Sequence, residues 1–332
     1  MKRIFSGIKP TGHLTLGNYL GAVRRWVEVD QHASEALFGV VDLHALTVDH
    51  DPARVRRLSR QAATLMLAAG LDPKLCTLFV QSHVDEHARL SYLLECTATD
   101  GELRRMIQYK EKGARAVAAG QGVRLSLLTY PVLMAADILA YGTDEVPVGE
   151  DQTQHVELTR DLAVRFNQRY GHVFTVPRAT HPVVAARVMD LQDPGSKMGK
   201  SHENGAGIVY LLDDSETVRR KILRAVTDSG RDVAYDREGR PGVANLLDVL
   251  AAATGGNPEA LAGVYESYGS LKRDTADAVV ELLRPVRERH AELAADPGYV
   301  DQVLRDGAER ARGLARPLVD RAYRAIGLLP AV

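Results

Sequence analysis

The run Arg3-Ile4-Phe5-Ser6-Gly7-Ile8-Lys9-Pro10-Thr11-Gly12-His13-Leu14-Thr15-Leu16-Gly17-Asn18-Tyr19 reads as a strand over 3–6, a Gly/Pro turn and the start of a helix. That shape presents backbone N–H groups to phosphate. Outward from it the pattern alternates. A helix over about 15–29 leads to a second strand, 36–42. Asp51-Pro52 then supplies a cap residue and a proline at the first helical position. Val55, Leu58, Ala62, Leu65, Met66 and Ala69 recur at helical spacing until Gly70 stops the helix. A third strand follows over 77–81. This βαβαβ order predicts a parallel sheet with right-handed crossovers. Ligands on such sheets bind beyond the carboxyl ends of the strands, where the loops after Ser6 and Asp42 open.

Further along, residues 84 to about 125 read as helices and a Gly-rich loop over 113–122. Tyr130-Pro131-Val132-Leu133-Met134-Ala135-Ala136-Asp137-Ile138-Leu139 is a mostly apolar helix. Another strand is expected at 145–148, a helix running to Gly171, and a last strand at 183–185. From Asp213 onward the pattern is helical, with start signals at Ser215-Glu216, Asn257-Pro258 and Asp296-Pro297. Pro285 and Pro317 fall inside helical patterns and predict kinks or breaks there.

At 332 residues, with 45% hydrophobic and 26% charged residues, two domains with a substantial core are expected. The net charge of −1 argues against a basic, coat-like nucleic-acid binder. From Asp213 to the end, 18 Lys and Arg face 20 Asp and Glu, so this half is near neutral. The two cysteines, Cys76 and Cys96, are too few for a zinc or iron–sulfur framework and fit a reducing, cytoplasmic setting. Met1-Lys2-Arg3 is cationic, but only Ile4-Phe5 follows before Ser6-Gly7, so no secretory leader is expected. No apolar run approaches the ~20 residues of a membrane span. The only tryptophan, Trp26, is expected to pack on the first helix.

A second loop, Gly195-Ser196-Lys197-Met198-Gly199-Lys200-Ser201, carries two lysines three apart between glycines. Lys197 and Lys200 are either ordinary surface charges or ammonium groups that close on a triphosphate and stabilise departing pyrophosphate. Asp137 stands alone in its apolar helix. An ionised carboxylate there is costly unless paired, so it is a rim or structural group, or a pocket-floor acceptor for one polar hydrogen. His44 follows the second strand and is either a structural histidine or a pocket residue. The His83–His87 pair has no second ligand cluster, and no hydrolase nucleophile elbow is present.

Four stretches together carry a resemblance: Thr15-Leu16-Gly17-Asn18, Tyr130-Pro131-Val132-Leu133-Met134-Ala135-Ala136-Asp137-Ile138, Val146-Pro147-Val148-Gly149-Glu150-Asp151-Gln152 and Lys197-Met198-Gly199-Lys200-Ser201. In this order, and over essentially the whole chain, they resemble the class I aminoacyl-tRNA synthetases, specifically the bacterial tryptophanyl-tRNA synthetase family. The first stands at the HIGH signature of the class and the last at KMSKS. The resemblance implies an α/β fold. Its Rossmann-like parallel-sheet catalytic domain, over 1–210, carries a helical insertion at about 84–175 that builds a homodimer interface. An all-helical anticodon-binding domain over 211–332 completes it.

The implied reaction makes tryptophanyl-adenylate from L-tryptophan and ATP with Mg2+, with no protein-bound metal, and transfers tryptophan to tRNA(Trp). By the same resemblance Lys9, Pro10, Thr11, Gly17 and Asn18 contact ATP. Gly149, Glu150 and Asp151 lie on its ribose and adenine side, and Val188 lies near the base. Met198, Gly199 and Ser201 belong to the closing loop. Lys197, Lys200 and Lys112 meet the phosphates as catalytic groups. Tryptophan sits against Phe5, Gly7, His44, Met134, Val146 and Val148. Tyr130 and Gln152 hold its ammonium, and Asp137 accepts the indole N–H. Arg219, Arg220, Lys221 and Arg224 are anticodon candidates against a solvated helix face.

Such chemistry needs positioning and charge stabilisation and no covalent intermediate, which agrees with the missing nucleophile. Two residues depart from the family pattern: Lys9 stands where many members have glutamine, and Gly199 replaces a serine. Three other readings compete: the tyrosyl sister enzyme, a small-molecule nucleotidyltransferase, and a catalytically silent paralogue. The second would not need some 120 helical residues at its C-terminus.

Overall fold

The structure is a computed structural model that describes residues 2–33, 35–181, 188–199, 205–230 and 232–329. Strand β1 (Arg3–Ile8) runs two residues beyond the expected 3–6. The first helix forms in three pieces: α1 (Leu16–Asn18), a π-helical turn Tyr19–Val23, and α2 (Arg24–Glu28). Thr15 caps it in a reciprocal capping box with Asn18. Then come β2 (Glu35–Val40), α3 (Pro52–Ala68) and β3 (Thr77–Val80). Asp51 caps α3 by accepting from Ala53 N and Arg54 N, and Gly70 leaves it at a φ of 113°.

Helices α4 (Glu86–Glu95), α5 (Asp100–Arg104), α6 (Ile107–Ala118) and α7 (Leu125–Leu139) follow. The expected loop over 113–122 is shorter, because α6 continues through Gly113 to Ala118. Strand β4 (Glu145–Pro147) and α8 (Thr153–Tyr170) come next, ahead of β5 (Arg178–Thr180). The strand expected at 183–185 lies outside the described residues, and β5 is one that the pattern did not reveal. All strands pair in parallel in the order β3-β2-β1-β4-β5. The order reverses between β1 and β4, and that switch point opens the cleft.

The C-terminal part is helical: α9 (Ser215–Leu223), α10 (Pro241–Thr254), α11 (Pro258–Ala262), α12 (Tyr268–Ala295) and α13 (Pro297–Ala325). Asp214, Asn257 and Asp296 cap α9, α11 and α13 through their side chains. Pro285 and Pro317 break neither α12 nor α13. Both are exposed, so the carbonyls they leave unpaired face water while the opposite faces stay packed.

Two apolar cores flank the sheet. One joins α3, Trp26 and Phe38 to α10 and α12; the Trp26 and Phe38 rings lie 5.2 Å apart. The other joins Phe5, Leu37 and Phe79 to α4, α7, α8 and the alanine face of α13. Helix α13 crosses β3 so closely that a Cβ at Gly307 would lie 1.8 Å from the Leu78 carbonyl oxygen.

Candidate functional site

The carboxyl ends of β1 and β4 and the turn after β2 surround a cavity of about 330 Å³. Ser6, Gly7 and Lys9 line it from β1, and Val41, His44 and Thr47 from the β2 turn. Tyr130, Met134 and Asp137 reach it from α7, and Val146, Val148, Gly149 and Gln152 from β4 onward. The size and mostly apolar wall suit one small ligand with a few placed polar groups. The nine residues expected against tryptophan (Phe5, Gly7, His44, Tyr130, Met134, Asp137, Val146, Val148 and Gln152) all lie on this one surface. Lys112 and Gln108 close it from α6.

Asp137 is 1% exposed. Its Oδ1 accepts from Gln81 Nε2 at 2.7 Å and from His87 Nδ1 at 2.6 Å, and its Oδ2 accepts from His44 Nε2 at 2.7 Å. Burial would raise this carboxyl, but the charge and hydrogen bonds of His87 and His44 outweigh it and hold it at about 2. A carboxylate accepts about four hydrogen bonds, so Oδ2 retains capacity for one further donor from the cavity. Behind it, His87 Nε2 meets the Tyr141 hydroxyl at 2.7 Å. Gln81, His87 and Tyr141 escape sequence reading. They lie on β3's end, α4 and α7's end, and no local pattern links them to Asp137.

Lys9 is largely enclosed and donates to Thr47 Oγ1 at 3.1 Å. Burial first, then the nearby Lys112 charge, lowers its ammonium to about 8. Burial also lowers Lys112, whose Nζ stands 5.7 Å from the Tyr130 ring centroid. The two ammonium groups and the wall of one cavity therefore form a cationic corner, which favours an anion. A more open cavity of about 530 Å³ continues past Thr47, Lys112 and Leu127 toward Arg115 and Arg124.

Of the other residues expected at ATP, Gly149 lines the cavity, and the rest of those described do not. Pro10 and Thr11 occupy the turn between β1 and α1. The two signature loops touch: Gly17 faces Met198, where a Cβ would lie 3.3 Å from the Met198 carbonyl oxygen. Asn18 uses its Oδ1 for the cap, accepting from Thr15 N at 3.1 Å. Met198 is buried and donates its N–H to the Val188 carbonyl at 3.0 Å. Lys197 pairs with Asp151 at 3.4 Å, both about half exposed. Glu150 and Asp151 sit in a 3-10 turn opening α8. Gly199 follows Met198, and Lys200 and Ser201 lie outside the described residues. Three of the four candidate anticodon cations are occupied: Arg219 pairs with Asp277, Lys221 with Asp213, and Arg220 donates to Thr217. Arg224 closes α9. Among the described residues, no group of three or more His, Cys, Asp or Glu could hold a metal ion.

Residues 1–284 match the family model described as tRNA synthetases class I (W and Y). The chain is 81% identical to tryptophan–tRNA ligase 1 of Streptomyces avermitilis, covering 100% of both chains. A crystal structure of tryptophanyl-tRNA synthetase from Mycoplasma pneumoniae superposes with a TM-score of 0.92 at 36% identity, covering 99% of this chain and 98% of that one. The Campylobacter jejuni tryptophanyl-tRNA synthetase, complexed with ADP and tryptophan, matches with a TM-score of 0.83 at 33% identity, over 98% and 100% of the two chains.

Proposed function

The chain belongs to the class I tRNA synthetases of the W and Y family, and on that premise we propose how its cleft carries the reaction of a tryptophan–tRNA ligase. L-tryptophan and ATP give tryptophanyl-adenylate and pyrophosphate, and the amino acid then passes to tRNA(Trp) with release of AMP. The observation that carries this reading is the buried Asp137 carboxylate, held ionised by three donors on the wall of an apolar cavity. An indole N–H supplies the one further donor such a floor can take. A side chain lacking a donor leaves the acceptor unpaired, which costs ~10⁴–10⁵ in discrimination. Phenylalanine is rejected in this way. Tyrosine, which carries its own donor, is rejected by shape.

In the first step a carboxylate oxygen of tryptophan attacks the α-phosphorus of ATP and the bond to pyrophosphate breaks. No enzyme nucleophile is required. Lys9 and Lys112 favour the phosphate charge from the cavity side. Lys197 and Lys200 of the second loop, with Met198, Gly199 and Ser201 around them, neutralise the leaving pyrophosphate. Mg2+ arrives on the ATP as part of the substrate. The contacts of Gly17 and Asn18 with ATP, of Pro10 and Thr11 with its phosphates, and of Gly149, Glu150, Asp151 and Val188 with its ribose and base belong to the same proposal.

The wider organisation is proposed on the same family grounds. Residues 211–332 serve as the anticodon-binding part, and the segment at about 84–175 carries a homodimer interface. Tyr92, Ile107, Val117 and Leu125 are exposed apolar residues in that segment, which suits such a role. No helix among the described residues is long and apolar enough to cross a membrane. A cytoplasmic setting fits a tRNA substrate. The test is amino-acid-dependent pyrophosphate exchange with tryptophan, tyrosine and phenylalanine in parallel. Exchange with tryptophan alone is expected. Exchange with tyrosine would move the chain to the sister activity, and none at all would make it a silent paralogue.

A further inference from the structure

Tyr130 faces the cavity, while His155 sits behind it on α8, 1% exposed and off the cavity wall. The Tyr130 hydroxyl and His155 Nε2 are 2.8 Å apart, and the rings are 5.4 Å apart between centroids. We propose that His155 is a positioning residue that accepts the Tyr130 O–H at Nε2, turning the Tyr130 oxygen lone pairs to the cavity to select a ligand's α-ammonium group. The proposal rests on the tryptophan reading of the site and names what sets one of its polarities.

A phenolic oxygen can face a ligand as donor or as acceptor, and its hydrogen-bond partner decides which. If His155 Nε2 carried the proton, it would donate to Tyr130, and the phenol O–H would point elsewhere, a donor suited to a carboxylate. If Nε2 is bare, the phenol proton is used up and only lone pairs remain for the cavity. The second arrangement pairs the stronger donor, a phenol, with the stronger acceptor, an imidazole nitrogen. Burial, then the charge of Lys112, lowers His155 to about 4, so near neutral pH the ring is uncharged and one nitrogen accepts. The proton then stays on Nδ1, which is buried and has no hydrogen-bond partner among the described residues.

The surrounding residues agree. Gln152 lies three positions before His155 and lines the same cavity. Its Nε2 donates to Asp151 Oδ2 at 2.7 Å, so the amide's other end is an acceptor. Tyr130 and Gln152 thus offer two oxygen acceptors, the set a protonated amine needs. The local backbone is held: Thr159 Oγ1 donates to the His155 carbonyl at 2.8 Å. His155 cannot touch the ligand from where it sits, so its effect runs through Tyr130 alone.

The test compares two ligands that differ in the ammonium group only, L-tryptophan and indole-3-propanoate, by calorimetry on the full-length protein. His155→Phe is expected to weaken L-tryptophan by about tenfold or more, while indole-3-propanoate changes by less than about twofold. In a Tyr130→Phe background, His155→Phe is expected to change the ratio no further. Equal weakening of both ligands, or an unchanged ratio, would overturn the proposal. Imidazole nitrogen NMR on the unsubstituted protein gives a check independent of any variant's folding. A proton on Nδ1 and a bare Nε2 are expected, and the opposite tautomer would overturn the proposal as well. An unsubstituted protein that binds both ligands equally would instead remove the tryptophan reading of the pocket.

Discussion

Asp137 Oδ2 lies 2.7 Å from His44 Nε2, which ties helix α7 to the turn after β2 across the floor of the cavity. Two residues 93 positions apart thereby fix one carboxylate on the cavity wall. Asp137→Asn puts an amide N–H against groups that already donate. Tryptophan-dependent exchange is expected to lose ~10–100-fold in kcat/KM, with a smaller loss for phenylalanine, so discrimination narrows. Parallel exchange assays with the two amino acids read this. An unchanged ratio would mean that Asp137 is structural only.

Behind that carboxylate, Tyr141→Phe leaves His87 Nε2 buried without its partner. Stability is expected to fall by about 1–3 kcal/mol. The urea midpoint measures it. An unchanged midpoint would show that the hydroxyl contributes nothing to holding His87.

Lys9 titrates at about 8 against 10.5 for an unburied lysine. A base with a lowered folded-state value binds fewer protons folded than unfolded between those limits. Stability therefore rises as pH climbs from about 8 to 10.5, and the folded state carries the full penalty below about 8. Lys9→Met is expected to stabilise the ligand-free protein at pH 7 by about 1–2 kcal/mol, with the gain shrinking above pH 8, and to lower kcat/KM for ATP. Urea melts at pH 7 and pH 9.5, with exchange kinetics beside them, check both halves. A destabilised variant at pH 7 would contradict the burial argument.

For Lys197, now paired with Asp151, the proposed role is in the transition state. Lys197→Ala is expected to lower kcat by about 10²–10³ with KM for ATP little changed. A rise in KM at constant kcat would make it a ground-state binding residue.

Gly307 on α13 has the Leu78 carbonyl where a Cβ would stand. Gly307→Ala is expected to cost about 2–3 kcal/mol by forcing the helix off β3. A thermal scan tests it, and a wild-type melting temperature would show that the docking yields without strain.

Much of the fold is legible in the sequence because many elements carry their own local signal. Asp51-Pro52 and Gly70 bound α3, Asp296-Pro297 opens α13, and helical spacing marks the apolar face between. Strand β5 is not legible: Arg178-Ala179-Thr180 has three residues, none of them fully buried, and it exists because β4 offers an edge to pair with. Pro285 and Pro317 mislead for a related reason. A proline's cost depends on whether water or a packed neighbour faces the freed carbonyl, and that is a tertiary fact.

The candidate site divides the same way. The family resemblance groups Phe5, Gly7, Asp137, Val146 and Gln152, and the fold brings them to one cavity wall. His87, Gln81, Tyr141 and His155 are not in that group. Each is a polar residue on a separate element, and its role exists only through a hydrogen bond to a residue distant in the chain. Local pattern in the sequence establishes most of the elements and points to the carboxyl edge of the sheet as the binding side. The tertiary structure alone decides which lone pairs face the cavity, because hydrogen-bond direction depends on partners that only folding brings within 3 Å.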